Sequence, residues 1–433
     1  MTGFRHFGYG LPVFFLLTSI CMAEPGAVGR TQKLQAEATK SPGIDHRDPI
    51  EVDATLKLSE VIDLTMEKYP DRLIMEALTQ EADALAVRAD SWVAGSNALY
   101  LDYYDDRVGS NQGYSNADIK LEVTPWFWGQ RSAAQGIANQ AHSSAEKQSQ
   151  AIKLEVARLV RDALWGITLA DIRFQQAGYT LDMSRQLLEK VRLRVELGDL
   201  ARTDLLLAES EYLQNRILYN QAGAEMMHSR KNYANLTQIT RMPFSFMEQQ
   251  STISSISENH PLLEAINAFI ARKQATIEWA KTTDTINQPK LNVGAQNNHD
   301  PLAGNNQIAG IGVVIPFGHS TYDAPEIAAA NLELNRALAQ REHLMRALEK
   351  NLHEAEHGLE ISRQELSIAH ELRQIAEAHL KMTEISFAAG EINLLDLLKI
   401  QARSLEAIRN AKEQEVKLQR NIAFYNQAVG VLP

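Results

Sequence analysis

The fold is decided by a stretch that occurs twice in the chain. The first copy reads RVELGDLARTDLL over Arg194–Leu206, and the second reads SFAAGEINLLDLL over Ser386–Leu398. Each copy ends a helical run at a glycine, places an acidic residue next, and starts a new helix with Asp-Leu-Leu six residues after the glycine. The two glycines, Gly198 and Gly390, lie about 192 residues apart. A turn that is used twice predicts an internally duplicated fold.

Two further landmarks repeat at nearly the same spacing. His260-Pro261 repeats Tyr69-Pro70, and Pro316 repeats Pro125, each about 191 residues later. Each half of the chain therefore reads as a short helix, two strands, a very long helix, a turn and a returning helix. The strands are expected at about 98–125 in the first half and at about 291–316 in the second.

The spacing of apolar residues predicts very long helices. No proline occurs between Gly129 and Leu197, and apolar residues recur there at every third or fourth position. About 70 residues at 1.5 Å each make a rod on the order of 100 Å long, which exceeds any globular core. We therefore predict a mainly α chain with a small β part, whose long helices belong to a coiled coil or to a helical tube.

The domain prediction divides the chain into four parts. Residues 1–23 are a signal peptide, 24–57 a flexible periplasmic leader, 58–242 the first repeat and 243–433 the second. A short apolar run near the N-terminus, followed by small residues before Glu24, is typical of an export signal. Cys21, the only cysteine, then belongs to the discarded peptide, and the alternative is that it carries a lipid.

Composition and motifs exclude several classes of function. The formal net charge of −11 makes nucleic acid an improbable partner, because the phosphate backbone needs a basic surface. The sequence has neither a glycine-rich phosphate loop nor a Gly-x-Ser-x-Gly turn, so we predict no enzyme, no catalytic residues and no cofactor. His353 and His357 have a spacing that can bind zinc, but no third ligand follows, so we predict no metal site.

The four strands permit two architectures. Strands of about ten residues have the length of a bilayer crossing, but four strands cannot close a barrel, and an open edge is forbidden in lipid. Either they form a small soluble sheet, or three chains contribute twelve strands to one barrel. Six aromatic residues are expected at one level of the first hairpin, as a membrane-interface belt or as a local cluster at the strand–helix junction: Tyr100, Tyr103, Tyr104, Trp126, Phe127 and Trp128.

At this point the sequence resembles a known family, the TolC-like outer-membrane efflux proteins, and more loosely their heavy-metal-efflux branch. The resemblance covers nearly everything from Leu58 to Val429. Besides the paired turns, it depends on Leu58–Asp63 with Pro70, Val123–Arg131, Val314–Gly318 and Ala328–Asn331. No single motif is specific, and their order carries the resemblance.

The resemblance implies a homotrimer in the outer membrane of a Gram-negative bacterium. A twelve-stranded β-barrel in outer-membrane lipid would continue as an α-helical barrel with a long periplasmic portion. Its tip would dock on a periplasmic adaptor (membrane fusion) protein of an inner-membrane pump, which we expect to be proton-driven. The docking residues would be Leu197, Gly198, Asp199, Leu200, Ala389, Gly390, Glu391 and Ile392, and the candidates for a pore gate are Arg194, Glu196, Arg202, Arg373 and Glu384.

Three functions stay open at this point. The first is a passive duct that exports small toxicants, either metal ions or organic compounds. The second is the outer-membrane duct of a type I polypeptide secretion system, and the third is a periplasmic coiled-coil scaffold without a pore. Asp204 and Asp396 invite a role as cation ligands, but acids in the first turn of a helix more often start the helix, and we favour that role.

Overall fold

Two very long helices dominate the architecture. The computed structural model describes residues 50–282, 288–317 and 320–433. Its helices are α1 (Leu58–Lys68), α2 (Arg72–Asp90), α3 (Gln130–Glu196), α4 (Arg202–Thr237), α5 (Pro261–Thr282), α6 (Ser320–Ala388) and α7 (Leu394–Ala428). Its strands are β1 (Glu51–Asp53), β2 (Ala98–Asp105), β3 (Ser115–Val123), β4 (Arg241–Pro243), β5 (Lys290–Asp300) and β6 (Gly304–Val314). The predicted signal peptide with Cys21, the leader up to residue 49, and Gly318 lie outside the described residues.

The long helices follow the predicted pattern. α3 contains 67 residues and α6 contains 69, while the returning helices α4 and α7 contain 36 and 35. Along α6 the buried residues recur at spacings of three, four or seven, the period of a coiled-coil seam: Leu352, Leu359, Ser362, Ala369, Ala376, Leu380, Thr383 and Phe387. Within the described ranges, no helix combines the length and the apolar character that a membrane crossing requires.

The helices form a row in which sequence order differs from spatial order. Towards the paired turns, α4 packs on α3, α3 packs on α7, and α7 packs on α6. Towards the sheet, α2 packs on α3, α3 packs on α5, and α5 packs on α6. The first and second halves of the chain therefore meet along α3, and α4 and α6 are the outer members of the row near the turns.

The predicted strands form one antiparallel sheet in the order β2-β3-β5-β6. The pairing of β3 with β5 joins the two halves of the chain, with Ile119 opposite Ala295. One face is apolar because Leu121, Val293 and Ile311 lie in register across three strands. The other face carries Lys120, Glu122 and other polar side chains, because apolar and polar residues alternate along the sequence of β3.

The second hairpin is tighter than the sequence indicates. The polar sequence of Asn298–Asn305 predicts an eight-residue loop between β5 and β6, but β5 extends to Asp300 and β6 starts at Gly304. The carboxylate of Asp300 accepts hydrogen bonds from the N–H groups of Leu302 and Ala303 at 2.8 and 3.2 Å, which closes the turn. The asparagine-rich sequence is typical of a loop, and cross-strand pairing overrides that preference here.

The end of the predicted flexible leader is structured, which corrects the prediction for 24–57. Glu51–Asp53 form β1, and β1 pairs in parallel with β4. The side chains of Ile50 and Leu56 on either side pack against an apolar cluster under α1. A three-residue strand is too short to show an alternating pattern, so the sequence did not indicate it. Counting β4, the described part of the chain has two short strands beyond the four predicted.

Candidate functional site: the paired turns and the sheet

Both turns end their long helices in the same way. Gly198 has a φ of 83° and Gly390 a φ of 79°, which is the left-handed conformation that glycine adopts most readily. The N–H of Gly198 donates to the carbonyl of Val195, and the N–H of Asp199 donates to that of Arg194, at 3.1 and 2.8 Å. Gly390 and Glu391 repeat this pair of hydrogen bonds at 3.1 and 2.9 Å. Both are Schellman motifs, so the glycines have a structural role.

The returning helices start at the predicted residues, but not identically. At the start of α7 the side chain of Asn393 accepts the N–H of Asp396 at 2.8 Å. At the start of α4 the carboxylate of Asp204 accepts the N–H of Ala201 at 3.2 Å, and Ala201 has no side-chain acceptor to complete a reciprocal pair. The helix-start role of Asp204 and Asp396 is therefore confirmed, with a weaker cap at α4.

An apolar cluster holds the two turns together. Its buried members come from α3, α4, α6 and α7: Leu187, Leu188, Val191, Ala208, Phe387, Leu394, Leu397 and Leu398. Leu200 and Ile392, which follow the two glycines, pack against this cluster and are half-buried. Leu197 instead is 69% exposed. Of the predicted docking residues, Leu197, Asp199, Ala389 and Glu391 therefore face away from the cluster.

Arg194 connects the first turn to the second. Its Nη1 donates to the carbonyl oxygen of Phe387 at 3.1 Å, and its guanidinium carbon lies 5.3 Å from the centre of the Phe387 ring. The carbonyl belongs to the last turn of α6, where carbonyl groups lack partners within the helix. A positive charge at this end also complements the helix dipole. The contact fixes the two turns at the same height.

The aromatic residues of the first hairpin lie at two levels, which corrects the expectation of one level. Tyr103 and Tyr104 pair with Ala117 and Asn116 near the β2–β3 loop, whereas Trp126 follows the opposite end of the hairpin. The antiparallel register separates them, because residues near the start of β3 face the end of β2. The sequence placed all of them near strand ends but did not distinguish one end from the other.

The tryptophans differ in their surroundings. Trp126 donates its ring N–H to the carbonyl of Ser91 at 2.8 Å and makes an edge contact with Trp279, 6.5 Å between ring centres. It matches the alternative of a local cluster at the strand–helix junction. Trp128 is 90% exposed and Phe127 is partly exposed, so these two remain candidates for an interface belt. Tyr100 lies on the polar face, where the Nζ of Lys120 is 4.3 Å from the centre of the tyrosine ring.

Comparison with solved structures identifies this arrangement. The chain is similar to the Campylobacter jejuni CmeC outer membrane channel, with a TM-score of 0.69, 14% identity and coverage of 86% of this chain and 85% of that chain. It is similar to the outer membrane protein VceC of Vibrio cholerae (0.69, 13%, 86% and 96%). It is also similar to the Neisseria gonorrhoeae MtrE outer membrane channel (0.66, 14%, 87% and 89%). No family model and no curated relative matches the sequence.

The chain has the fold of these outer-membrane channels. The predicted fold class, a TolC-like chain with long helices and a small β part, is confirmed. The identities of 13 to 14% explain why the resemblance depended on the order of weak motifs. The heavy-metal-efflux branch stays a prediction.

Within this channel fold the five candidate gate residues do not form one cluster. Arg194 and Glu384 line the same groove beside the turns. Arg373 precedes Gly390 by nearly five helical turns, on the order of 25 Å. It donates to Glu377 at 2.7 Å, and that hydrogen bond raises the pKa of the guanidinium. Glu196 and Arg202 are exposed. A gate role for these residues stays a prediction.

The histidine pair on α6 is a surface feature. The rings of His353 and His357 are nearly parallel, with 6.3 Å between their centres, and both side chains are exposed. Among the residues that the structure describes, no group of three histidine, cysteine or acidic side chains could hold a metal ion. His370 has a different environment, since its Nε2 lies 3.0 Å from a carboxylate oxygen of Glu415.

Sequence reasoning missed two buried groups and two exposed stripes. Arg161 is fully buried and pairs with Glu248, and His260 is buried at the start of α5. Both residues depend on partners far away in the chain. The stripes lie on the outer helices α4 and α6, and heptad spacing could have indicated them. Their lack of a covering neighbour could not be read from the sequence, because buried and exposed stripes show the same spacing.

Proposed function

We propose that this chain is the outer-membrane channel component of a tripartite efflux system. It would be a passive duct that carries small toxicants, metal ions or organic compounds, from an inner-membrane pump to the outside. The observation that carries the proposal is that the four-stranded sheet of this channel fold has two unpaired edges. Among the strands that the structure describes, β2 and β6 each pair on one side only. Unpaired strand edges must find partners, and in lipid only closure supplies them.

Closure with further copies of the chain fits the sheet. Three copies would supply twelve strands, which is enough for an open channel. The apolar face with Leu121, Val293 and Ile311 would then meet lipid. The opposite face would line a water-filled lumen; there Lys290 donates to Glu122 at 2.8 Å. This polarity supports the membrane architecture over the small soluble sheet and over the scaffold without a pore. The location would be the outer membrane of a Gram-negative bacterium.

The far end of the molecule is the proposed docking site for a periplasmic adaptor protein. The exposed residues of both turns project past the ends of the long helices, and Leu197 offers an apolar contact there. Apart from the glycine and its two chain neighbours, no atom of the described residues lies within 4 Å of the position where a Cβ would be added on Gly198 or Gly390. A bulky side chain at either glycine would therefore point into open space and obstruct a partner without a clash inside the chain.

A matched set of variants tests the docking proposal. Gly198→Ala and Gly390→Ala introduce the left-handed strain alone, which costs about 1 kcal/mol. Gly198→Trp and Gly390→Trp add bulk at the same positions. We expect the tryptophan variants to lose export while the alanine variants keep most of it, with equal amounts of assembled protein in the outer membrane. Equal loss in both sets, or failure to assemble, would assign the glycines to folding alone.

Growth assays test the efflux function itself. A strain that lacks this chain should become more sensitive to at least one compound in a panel of metal salts, dyes, detergents and antibiotics, and the wild-type gene should restore resistance. The chain with both Gly→Trp substitutions is the matched control, because it would insert but not connect to a pump. If no compound became more toxic and a large polypeptide were retained in the cell, the type I secretion duct would replace the efflux duct.

A further inference from the structure

α6 carries two apolar stripes, and within the described ranges only one of them has a neighbour. The first stripe packs against α7. The second is exposed in the chain and also follows heptad spacing, with members 40 to 66% exposed: Ile361, Ile368, Leu372, Ile375 and Met382. A helix that is apolar on two sides is typical of a helix packed between two neighbours.

α4, at the other end of the row, carries a matching exposed stripe. Leu206, Leu213 and Ile217 are 54 to 60% exposed and are spaced seven and four residues apart. The buried residues Ala208 and Asn215 lie on a different side of the helix, where α4 packs on α3. Both outer helices of the row thus have one covered side and one uncovered apolar side.

The paired turns give the two stripes a common height. Arg194 and Phe387 are in contact. They precede Gly198 and Gly390 by four and three residues, so the two glycines lie at nearly the same height along the helices. Leu206 lies eight residues after Gly198 and Met382 eight residues before Gly390. At 1.5 Å per residue, both are about 12 Å above the turns.

The next apolar pairs match as well. The separation between Gly198 and Leu213 equals the separation between Ile375 and Gly390. For Ile217 and Leu372 the two separations differ by a single position. The two helices run in opposite directions from the turns, so an antiparallel contact would bring every pair together without a shift.

Charge supports the same alignment. The separation of Arg216 from Gly198 and that of Glu371 from Gly390 differ by a single position. Among the described residues neither side chain has an ion-pair partner. An arginine and a glutamate would thus stand at nearly the same height on the two stripes.

Arg216 and Glu371 also lie on one side of the helix row. The opposite side is marked by grooves in which Glu406 and Arg409 of α7 meet Gln214 of α4 and Leu372 of α6. At helical spacing Arg216 and Glu371 each flank their stripe on the side away from these grooves.

We propose that α6 of one copy packs along α4 of a second copy with the paired turns level, and that Arg216 forms an ion pair with Glu371 across this contact. The inference rests on the proposed assembly of several copies and adds its register. The contact is heterologous, and its repetition generates a ring when the rotation between successive copies closes. The same two sides of the chain carry the unpaired edges of β2 and β6, which supports one continuous subunit interface.

Cysteine cross-linking in the full-length chain tests the register. Leu213→Cys with Ile375→Cys places two thiols at equal height in adjacent copies, close enough for a disulfide. Leu213→Cys with Ile361→Cys offsets them by about 21 Å, because Ile361 lies two heptads further along α6 than Ile375. We expect oxidation of the purified protein in detergent to link copies at least about tenfold more in the first variant, since a disulfide needs Cα atoms within about 7 Å. Similar yields in both, or a higher yield in the second, would overturn the register.

Charge exchange tests the ion pair. Arg216→Glu and Glu371→Arg should each raise the protein concentration needed for half-assembly by about tenfold, because like charges then face each other. The double exchange should restore assembly. Lys412→Glu on α7, which is not an outer helix of the row, is the control for charge reversal and should assemble normally.

The outcomes separate the two proposals. If the wild-type chain stays monomeric at every concentration, the proposed assembly and the register both fall. If the wild type assembles but the double exchange fails to restore what the single exchanges lose, the assembly stands and the ion pair is wrong.

Discussion

At the scale of single residues, Arg161 holds together segments that are far apart in the chain. Its Nε and Nη2 donate to the carboxylate of Glu248 at 2.8 and 2.7 Å, and its Nη1 donates to Gln427 at 2.6 Å. Its Nη2 also donates to the carbonyl of Val431 at 3.0 Å. The guanidinium thereby fixes the segment after β4 and the end of the chain to α3. The pair is buried, so its loss leaves a charge without compensation.

Removal of this arginine should be one of the most destabilising substitutions in the helices. Arg161→Ala strands the Glu248 carboxylate in the interior, and we expect a loss of about 3–5 kcal/mol. The double variant Arg161→Met with Glu248→Leu should recover most of it, because no buried charge remains. Arg185→Ala, which breaks an exposed pair with Asp182, is the control and should cost under about 1 kcal/mol. Unfolding midpoints in denaturant measure all three, and equal costs for Arg161→Ala and Arg185→Ala would refute the role.

His260 makes the start of α5 sensitive to pH. The side chain is 2% exposed, and its Nδ1 accepts the N–H of Leu262 at 3.2 Å, which caps the helix. The opposite side of the ring meets the end of α7, where a Cβ on Gly430 would lie 2.7 Å away. Burial lowers the pKa of the imidazole. The folded chain therefore disfavours the charged form, which would also lose the acceptor at Nδ1.

The direction in which pH changes the stability follows from the lowered pKa of His260. Above about pH 6.5 the histidine is neutral in both folded and unfolded chains and has no effect on the pH dependence. As the pH falls below about 6.5, the unfolded chain takes up a proton first, and stability declines until the pH reaches the lowered folded pKa. His260→Asn keeps an acceptor for the cap but does not titrate. Thermal unfolding between pH 8 and pH 5 should show a smaller decline for the variant, and parallel curves would contradict the assignment.

At the scale of elements, the two returning helices show that duplication preserved geometry more strictly than sequence. α7 starts with Asn393, whose side chain caps the helix, while α4 starts with Ala201, which cannot. Both helices nevertheless begin four residues after their glycines. The turns fix this position through backbone hydrogen bonds, so a poor cap lowers stability without shifting the helix.

Exchange of the caps should change stability in opposite directions. Ala201→Asn supplies the missing acceptor for the first turn of α4 and should stabilise the chain by about 0.5–1 kcal/mol. Asn393→Ala removes the existing cap of α7 and should cost about 1 kcal/mol. Chemical denaturation of the two variants beside the wild type gives both values. A destabilising Ala201→Asn would mean that the two turns differ in backbone conformation at this position.

At the scale of the whole molecule, the level position of the paired turns requires that both long hairpins have equal lengths. Arg194 reaches Phe387 only because α3 and α6 arrive at the same height. Removal of seven residues from each arm of one hairpin keeps the apolar face, since seven residues make about two turns, and shortens the hairpin by about 10 Å. Removal from one hairpin alone should therefore separate the turns.

Matched deletions test this requirement. A chain without 361–367 and 413–419 has a short second hairpin, and we expect it to lose the contact between the turns and to assemble poorly. Further deletion of 169–175 and 221–227 shortens the first hairpin equally, because these segments lie as far from Gly198 in sequence as the others lie from Gly390. This second chain should assemble better than the first, into a shorter particle in electron micrographs. Better assembly of the singly shortened chain would show that level turns are unimportant.

The sequence by itself determined the features that depend on neighbours within a few residues. Apolar spacing indicated the long helices, the glycines indicated the turns, and the equal spacing of landmarks indicated the duplication, because helix periods and caps involve residues three to six positions apart. The alternation in β3 likewise indicated a strand with two different faces.

Only the tertiary structure decided which of these local features meet. The pair Arg161–Glu248 joins residues 87 positions apart, and no local pattern indicates it. Strand register separated Tyr103 from Trp126, although both lie near strand ends. The order of the helix row left α4 and α6 with uncovered stripes that are indistinguishable from covered ones in sequence. Pairing between distant segments depends on the packing of the whole chain, and the spacing of residues along one helix carries no record of its neighbour.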